Sequence, residues 1–327
     1  MEGISFGVMQ GGGGQELQPE YDLMILGAGP AGLTAAIYAS RAGMNTLLVE
    51  KEAIGGEAAS TSMIENYPGF PEGIKGAELT ERMRSQAQKF GAQIVLAAPE
   101  SLDLWAEPKK ATLKGQPIRA RSIIIASGTS PRRLGIPGEK ELKGRGVSYC
   151  ATCDGPMFAG KDIAVIGCGN SGLQEGLFIR KFVKSITMVE FLPTIQAEEI
   201  LQERMRSYDN VQWLLNHETV SISGQDWVES ITVRDRAGGE GKQIPVQGVF
   251  IYIGLEPNTD YLDGQIELDK WGFIPTDEKM QTSTPGVFAA GDVRVTEMRQ
   301  IATAIGDGAV AASSAYHYVD LKIKEQA

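Results

Sequence analysis

Leu23-Met24-Ile25-Leu26 runs directly into Gly27-Ala28-Gly29-Pro30-Ala31-Gly32, then into the helix-like run Leu33–Ala42 and the apolar strand Thr46–Val49, which ends at Glu50. The order is strand, glycine turn, helix, strand, acid. Gly27 permits the tight turn. Gly29 lets backbone approach a pyrophosphate, Gly32 lets helix and strand pack closely, and Glu50 can accept a ribose hydroxyl. In this context the motif predicts a dinucleotide-binding unit. The same order returns 140 residues later. Asp162–Ile166 leads into Gly167-Cys168-Gly169-Asn170-Ser171-Gly172, then Leu173–Phe182, Ser185–Val189 and Glu190. Two such units in 327 residues predict an α/β chain with two Rossmann-like domains.

Just before the second unit stands Tyr149-Cys150-Ala151-Thr152-Cys153-Asp154. Two cysteines separated by two residues can close a small disulfide or open to a dithiol. Only one further cysteine, Cys168, is present, so no disulfide framework is expected. Zinc needs about four ligands, and Cys168, His217 and His317 lack finger-like spacing, so no metal site is expected. In a reducing compartment a lone CxxC then reads as catalytic.

The composition suits a soluble, cytoplasmic globular protein, with 42% hydrophobic and 22% charged residues. A net charge of -10 argues against nucleic acid as a general partner. No apolar run reaches the roughly 18 residues of a membrane span, and no signal peptide is visible. Residues 1–20, Gly-rich and polar, read as a disordered tail. An amphipathic helix is expected over 72–90, short strands over 91–126, a helix over 197–207 and another over Ile301–Tyr316.

With these pieces in order, the sequence resembles the low-molecular-weight thioredoxin reductases over about residues 21–320. The matching stretches are Gly27–Gly32, Glu65–Gly69, Cys150–Asp154, Gly167–Gly172, Gly254–Thr259, Gly286–Asp292 and Arg299–Gly308. The resemblance implies an FAD-dependent disulfide oxidoreductase with two domains of three-layer ββα build, the second inserted in the first. The FAD domain would span 21–129 and 255–327, and the inserted domain 130–254. Gly27, Gly29, Gly32 and Glu50 would hold the FAD adenosine diphosphate, with Asn66, Asp292, Arg299 and Gln300 along the flavin and ribitol. Pro30, Ala31, Lys51, Gly56, Glu57, Gly128, Gly291 and Ile301 complete the implied cofactor set. Cys153 would face the flavin, Cys150 would exchange with a thioredoxin-like protein, and Asp154 would serve as general acid and base. The alternative role for Asp154 is a helix cap. A homodimer is implied as well.

The second unit departs from the family. Members that use NADPH carry His-Arg-Arg after the second strand, with another Arg shortly after, to bind the 2′-phosphate. Here those positions read Glu190-Phe191-Leu192 and Gln196. An acid at the end of this strand normally bonds free ribose hydroxyls, so NADPH is expected to bind poorly. Gly167, Gly169, Asn170, Ser171, Gly172 and Glu190 could instead hold NADH or a second FAD. The site could also be vestigial, with electrons arriving from ferredoxin. Gly172 stands where NADPH-using relatives usually have Ala, and Cys168 reads as a small buried residue. A flavin-binding redox sensor with a vestigial nucleotide site is the alternative function. Residues 109–145 hold ten basic and two acidic side chains, which leaves the remainder of the chain at -18. That segment could steer an acidic redox partner to the disulfide.

Overall fold

The computed structural model describes residues 16–61, 63–64 and 66–326, with the side chains of Thr152, Cys153 and Gln326 outside the description. β1 (Glu20–Leu26) and β2 (Thr46–Glu50) flank α1 (Pro30–Arg41). The last four residues of β1 are fully buried, as a parallel strand covered on both faces requires. α1 begins at Pro30, inside the glycine motif, because proline at the first helical position has no amide to leave unbonded. Next come α2 (Gly56–Ser60), α3 (Gly76–Lys89), β3 (Gln93–Leu96), β4 (Pro99–Asp103), β5 (Lys109–Leu113), β6 (Gln116–Ile125) and β7 (Thr129–Pro131).

The redox stretch follows β8 (Val147–Ser148) and opens α4 (Ala151–Asp154). β9 (Asp162–Ile166), α5 (Asn170–Ile179) and β10 (Ser185–Val189) form the second unit, followed by α6 (Glu199–Arg206) and β11 (Val211–Leu214). β12 (His217–Ser223), β13 (Ser230–Asp235) and β14 (Lys242–Pro245) make a meander before β15 (Gly248–Ile251), β16 (Leu255–Pro257), β17 (Val287–Ala289) and the long α7 (Ile301–Gln326). α7 runs ten residues beyond the expected Tyr316. Its extension is anchored by buried Val319 and by Tyr318, whose ring meets Phe288 edge-on.

The first sheet has the order β3-β2-β1-β6-β5-β4, with β17 also on β6. The second has the order β11-β10-β9-β15-β8 and is parallel throughout. Strand alternation divides each core in two. Leu23 and Ile25 face α1, α3 and α7, while Met24 and Leu26 face the opposite side with Leu104, Leu262 and Ile274. In the second sheet Ile163 and Val165 pack with α5 and α6, and Ala164 and Ile166 pack with Ile222, Ile231 and Val233 of the meander. Helices, parallel sheet and meander thus form three layers. A two-stranded ribbon, β7 with β16, joins the chain of one sheet to the other through the pair Leu255↔Pro131.

Residues 16–20 of the expected tail belong to the described fold. Pro19 accepts from the Arg119 amide at 2.9 Å, the Gln18 amide donates to Tyr21 Oη at 2.8 Å, and Leu17 packs on the core. Residues 1–15 and Glu65 lie outside the described residues.

Candidate active site

The two glycine turns are built alike. Gly27 has φ of 107° and Gly167 of 100°, a region open to glycine. A Cβ on Gly27 would stand 2.3 Å from Ala126 O, and one on Gly167 would stand 2.1 Å from Tyr252 O. On Gly32 it would stand 1.8 Å from Gly27 O, and on Gly172 2.0 Å from Gly167 O. Gly29 and Gly169 have open space instead. Each is an extended N-cap with no side chain bonded to the helix start, which leaves amides and a positive dipole end for an anion.

The acids match too. Glu50 accepts from the Ala28 amide at 2.8 Å and the Glu52 amide at 2.9 Å. Glu190 accepts from the Cys168 amide at 2.6 Å and the Leu192 amide at 2.9 Å. Each carboxylate is therefore aimed across its own turn by two backbone donors, with lone pairs left for a ribose diol.

Around the first turn, residues distant in sequence meet. The Gly55 amide donates to Ala28 O at 2.8 Å, and Gly56 faces the Cα of Gly29, with Glu57 following in α2. Asn66 Nδ2 donates to Gln300 Oε1 at 2.9 Å across 234 residues. Gly291 presses on Ala31, where an added Cβ would lie 2.9 Å from the alanine methyl. Asp292 is largely buried, and that burial lifts its carboxyl to about 6, against the lowering pull of Arg299. Arg299 donates to Asp292 O at 3.4 Å and lies 4.2 Å over the Phe273 ring, and Ile301 begins α7. The Gly128 carbonyl accepts from the Asn258 amide at 3.0 Å. Lys51 points outward to Glu52 at 3.3 Å.

Sequence reasoning missed what holds the Gly-Asp turn. Asp307, 7% exposed on α7, takes a two-point bond from Arg294 at 2.5 and 2.8 Å and a third from the Gly291 amide at 3.1 Å. A lone acid in the run Ile305-Gly306-Asp307-Gly308 was the available signal.

Around the second turn, Asn170 and Glu198 bond reciprocally, at 2.7 Å from the Glu198 amide and 3.0 Å to its carboxylate. Ser171 is exposed beside them. Phe191, half-exposed, carries the Arg236 guanidinium 3.7 Å over its ring, and Arg236 also donates to Phe191 O at 3.2 Å. This cation comes from beyond β13 and has no counterpart in the expected pattern. Cys168 is fully buried and free, and burial with the neighbouring Glu190 charge raises its thiol well above the ordinary range.

Cys150 is disulfide-bonded and partly exposed. Its amide donates to Ser148 Oγ at 3.0 Å, and the Asp154 amide donates to its carbonyl at 3.1 Å, closing the turn that carries α4. The side chain of Cys153 lies outside the described residues. Asp154 makes no side-chain cap bond to the following turn, Gly155–Phe158. Tyr252 Oη accepts from the Ala151 amide at 2.8 Å. Glu175, on α5, is lifted to about 7 by burial.

Four cations of the basic segment are already paired with acids. Lys109 is 1% exposed and paired with Glu107 at 2.7 Å, and Arg119, Arg121 and Arg132 pair with Glu20, Asp22 and Glu256.

A family model for pyridine nucleotide-disulphide oxidoreductases matches residues 21–308. The chain belongs to this family. It is 42% identical to the thioredoxin reductase of Bacillus subtilis (strain 168) over 301 residues, 92% of this chain and 95% of that one. It is 40% identical to a 34.2 kDa protein in the rubredoxin operon of Clostridium pasteurianum, over 92% and 98% of the two chains. It superposes on the crystal structure of Lactococcus lactis thioredoxin reductase in its FR conformation with a TM-score of 0.88 at 39% identity, over 92% of this chain and 99% of that one. The protein is thus a thioredoxin reductase-type flavoprotein, a disulfide oxidoreductase with two Rossmann-like domains. The residues at the first turn fit the FAD that this family implies, with uncapped helix amides for its diphosphate and the Glu50 carboxylate for a ribose. Among the described residues no helix is long and apolar enough to cross a membrane.

Proposed function

We propose that this chain reduces a thioredoxin-like protein through Cys150 and Cys153, with its second nucleotide turn closed to NADPH. The observation that carries the second half is the seat of Glu190. The residue is 7% exposed and its carboxylate is fixed by two backbone amides, where a 2′-phosphate would need a cation. Arg236 is near, but its plane lies on Phe191 and one of its donors on the Phe191 carbonyl. NADH, a second FAD or external delivery by ferredoxin remain as donors consistent with this seat.

FAD, when bound, supplies the two-electron carrier. Cys150, partly exposed, attacks the partner's disulfide as a thiolate. One partner sulfur leaves with a proton, and a mixed disulfide forms. The Cys153 sulfur then displaces the partner from Cys150, and the pair is oxidised again. Asp154 gives and takes the protons of these thiols; its freedom from capping supports that role. Gly27, Gly29, Pro30, Ala31, Gly32, Glu50, Lys51, Gly56, Glu57, Asn66, Gly128, Gly291, Asp292, Arg299, Gln300 and Ile301 form the flavin site. The division of the sheets supports a flavin unit of 21–129 with 255–327 and an inserted unit of 130–254. The working form in this reading is a cytoplasmic homodimer.

The test is anaerobic reduction of the purified flavoprotein by NADH, NADPH and reduced ferredoxin in turn, with flavin absorbance followed. Slow bleaching by NADPH and fast bleaching by one of the others is expected. Fast bleaching by micromolar NADPH overturns the reading of Glu190. A donor that bleaches the flavin without turnover on a protein disulfide would favour a redox sensor.

A further inference from the structure

Cys150 lies between two residues that are each bonded to a segment adjoining the β7–β16 ribbon. On one side the chain leaving β7 brings the Leu134 and Gly135 amides onto Glu139, at 2.9 and 2.6 Å. Glu139 is 4% exposed, and its Oε1 also takes the Tyr149 hydroxyl at 2.5 Å. Burial and this carboxylate together keep the Tyr149 phenol protonated far above its ordinary range, so it stays a donor. On the other side Tyr252 stands between β15 and β16, and its hydroxyl accepts the Ala151 amide at 2.8 Å. The residues before and after Cys150 are therefore tied by phenol oxygens to the two chain segments that run to and from the ribbon. No local spacing announces either tie.

We propose that the Glu139–Tyr149 pair and Tyr252 are positioning residues that hold Cys150 in its disulfide geometry, so that opening of the disulfide and loosening of these ties are one linked event. The inference rests on the proposed redox role of the Cys150 pair. The structure has the disulfide closed and both ties made. Linkage is reciprocal: if opening the disulfide weakens the ties, cutting a tie favours the open form by the same factor. The ties also reach both ribbon segments, so the redox state of the pair becomes a signal the linkers can feel.

The experiment equilibrates the holoprotein with glutathione redox buffers, quenches in acid and counts thiols beyond that of Cys168. In the reaction two glutathione thiols become glutathione disulfide, the sulfur–sulfur bond at Cys150 breaks, and the two protons end on the chain's thiols. Tyr149→Phe keeps the ring and removes only the donor. It is expected to shift the equilibrium toward the dithiol roughly tenfold, about 1.4 kcal/mol, the scale of one charge-assisted bond. Tyr252→Phe is expected to shift it the same way by a smaller factor, since its lost bond is neutral. Hydrogen exchange supplies an independent arm: in the wild-type protein the Leu134 and Gly135 amides should exchange faster in the dithiol form. Wild-type midpoints in both variants, or equal exchange of those amides in the two forms, overturn the inference. A wild-type protein with no reversible dithiol at all would instead overturn the proposed function.

Discussion

The two glycine turns share a backbone and differ in what surrounds them. In both, the first glycine abuts a carbonyl of the neighbouring strand, the third abuts the first, and the middle one faces open space. In both, an acid at the end of the second strand takes the amide of the residue after the first glycine. The first turn is then enclosed by parts drawn from the whole chain: Gly56, Asn66 with Gln300, and the Gly291–Asp292 turn pinned by Asp307. The second is bordered by the Asn170–Glu198 pair and by Phe191 under Arg236. A repeated motif fixes a fold and a diphosphate seat. What it serves is decided by the neighbours that long-range topology brings to it.

The largest expected effect tests whether the motif's glycines divide into packing and ligand positions. Gly32→Ala puts a methyl 1.8 Å from a carbonyl oxygen, so α1 must shift, at a cost of roughly 3 kcal/mol or more. Gly29→Ala meets nothing, so thermal melting of flavin-free protein should be unchanged while flavin retention falls. Equal melting losses in both variants would break the division. Gly172→Ala should repeat the packing loss in the second unit without loss of bound flavin, even though NADPH-using relatives carry alanine there.

The next effect sharpens the contrast in enclosure. Asp307→Asn leaves Arg294 without its carboxylate, and removing one partner of a largely buried pair costs about 3 kcal/mol. Flavin content after gel filtration should fall with it, whereas Glu198→Gln at the second turn should leave flavin content unchanged.

A smaller effect concerns Glu175. Its folded carboxyl stands at about 7 against 4.5 unfolded. Between those values the folded protein holds a proton the unfolded chain has lost, so stability falls as pH rises through that window. Glu175→Gln removes the fall. The unfolding free energy from denaturant melts should rise by up to about 2–3 kcal/mol at pH 8 and stay unchanged at pH 4. A gain that is the same at both values would exclude burial of the charge as the cause.

The smallest effect is electrostatic. With Arg132 already shared with Glu256, replacing Arg132 and Arg133 by Glu should slow reduction of an acidic partner only a few-fold at low salt, and not at high salt. Equal rates at low salt would remove the steering idea.

Both turns, their acids and the cysteine pair were legible in the sequence because each is a local pattern: strand, glycines and helix occur within some 25 residues. Helix ends were less so. α7 continues past its small-residue stretch on Tyr318 and Val319, which announce no helix until Phe288 is beside them. The least legible parts are pairs across long separations. Asp307 with Arg294, Arg236 with Phe191, Glu139 with Tyr149 and Tyr252 with Ala151 have no fixed spacing, and each depends on strand order. The loss of cations after β10 was readable; the arrival of Arg236 from the turn after β13 was not.

The account rests on electron exchange between a bound flavin and the disulfide at Cys150. Anaerobic titration with dithionite measures it directly, with absorbance and free thiols followed together. The wild-type flavoprotein is predicted to take up two electrons more than its Cys150→Ser variant, and to gain a pair of thiols as it does so. A wild-type protein that takes up no more than the variant, or that holds no flavin, would contradict it.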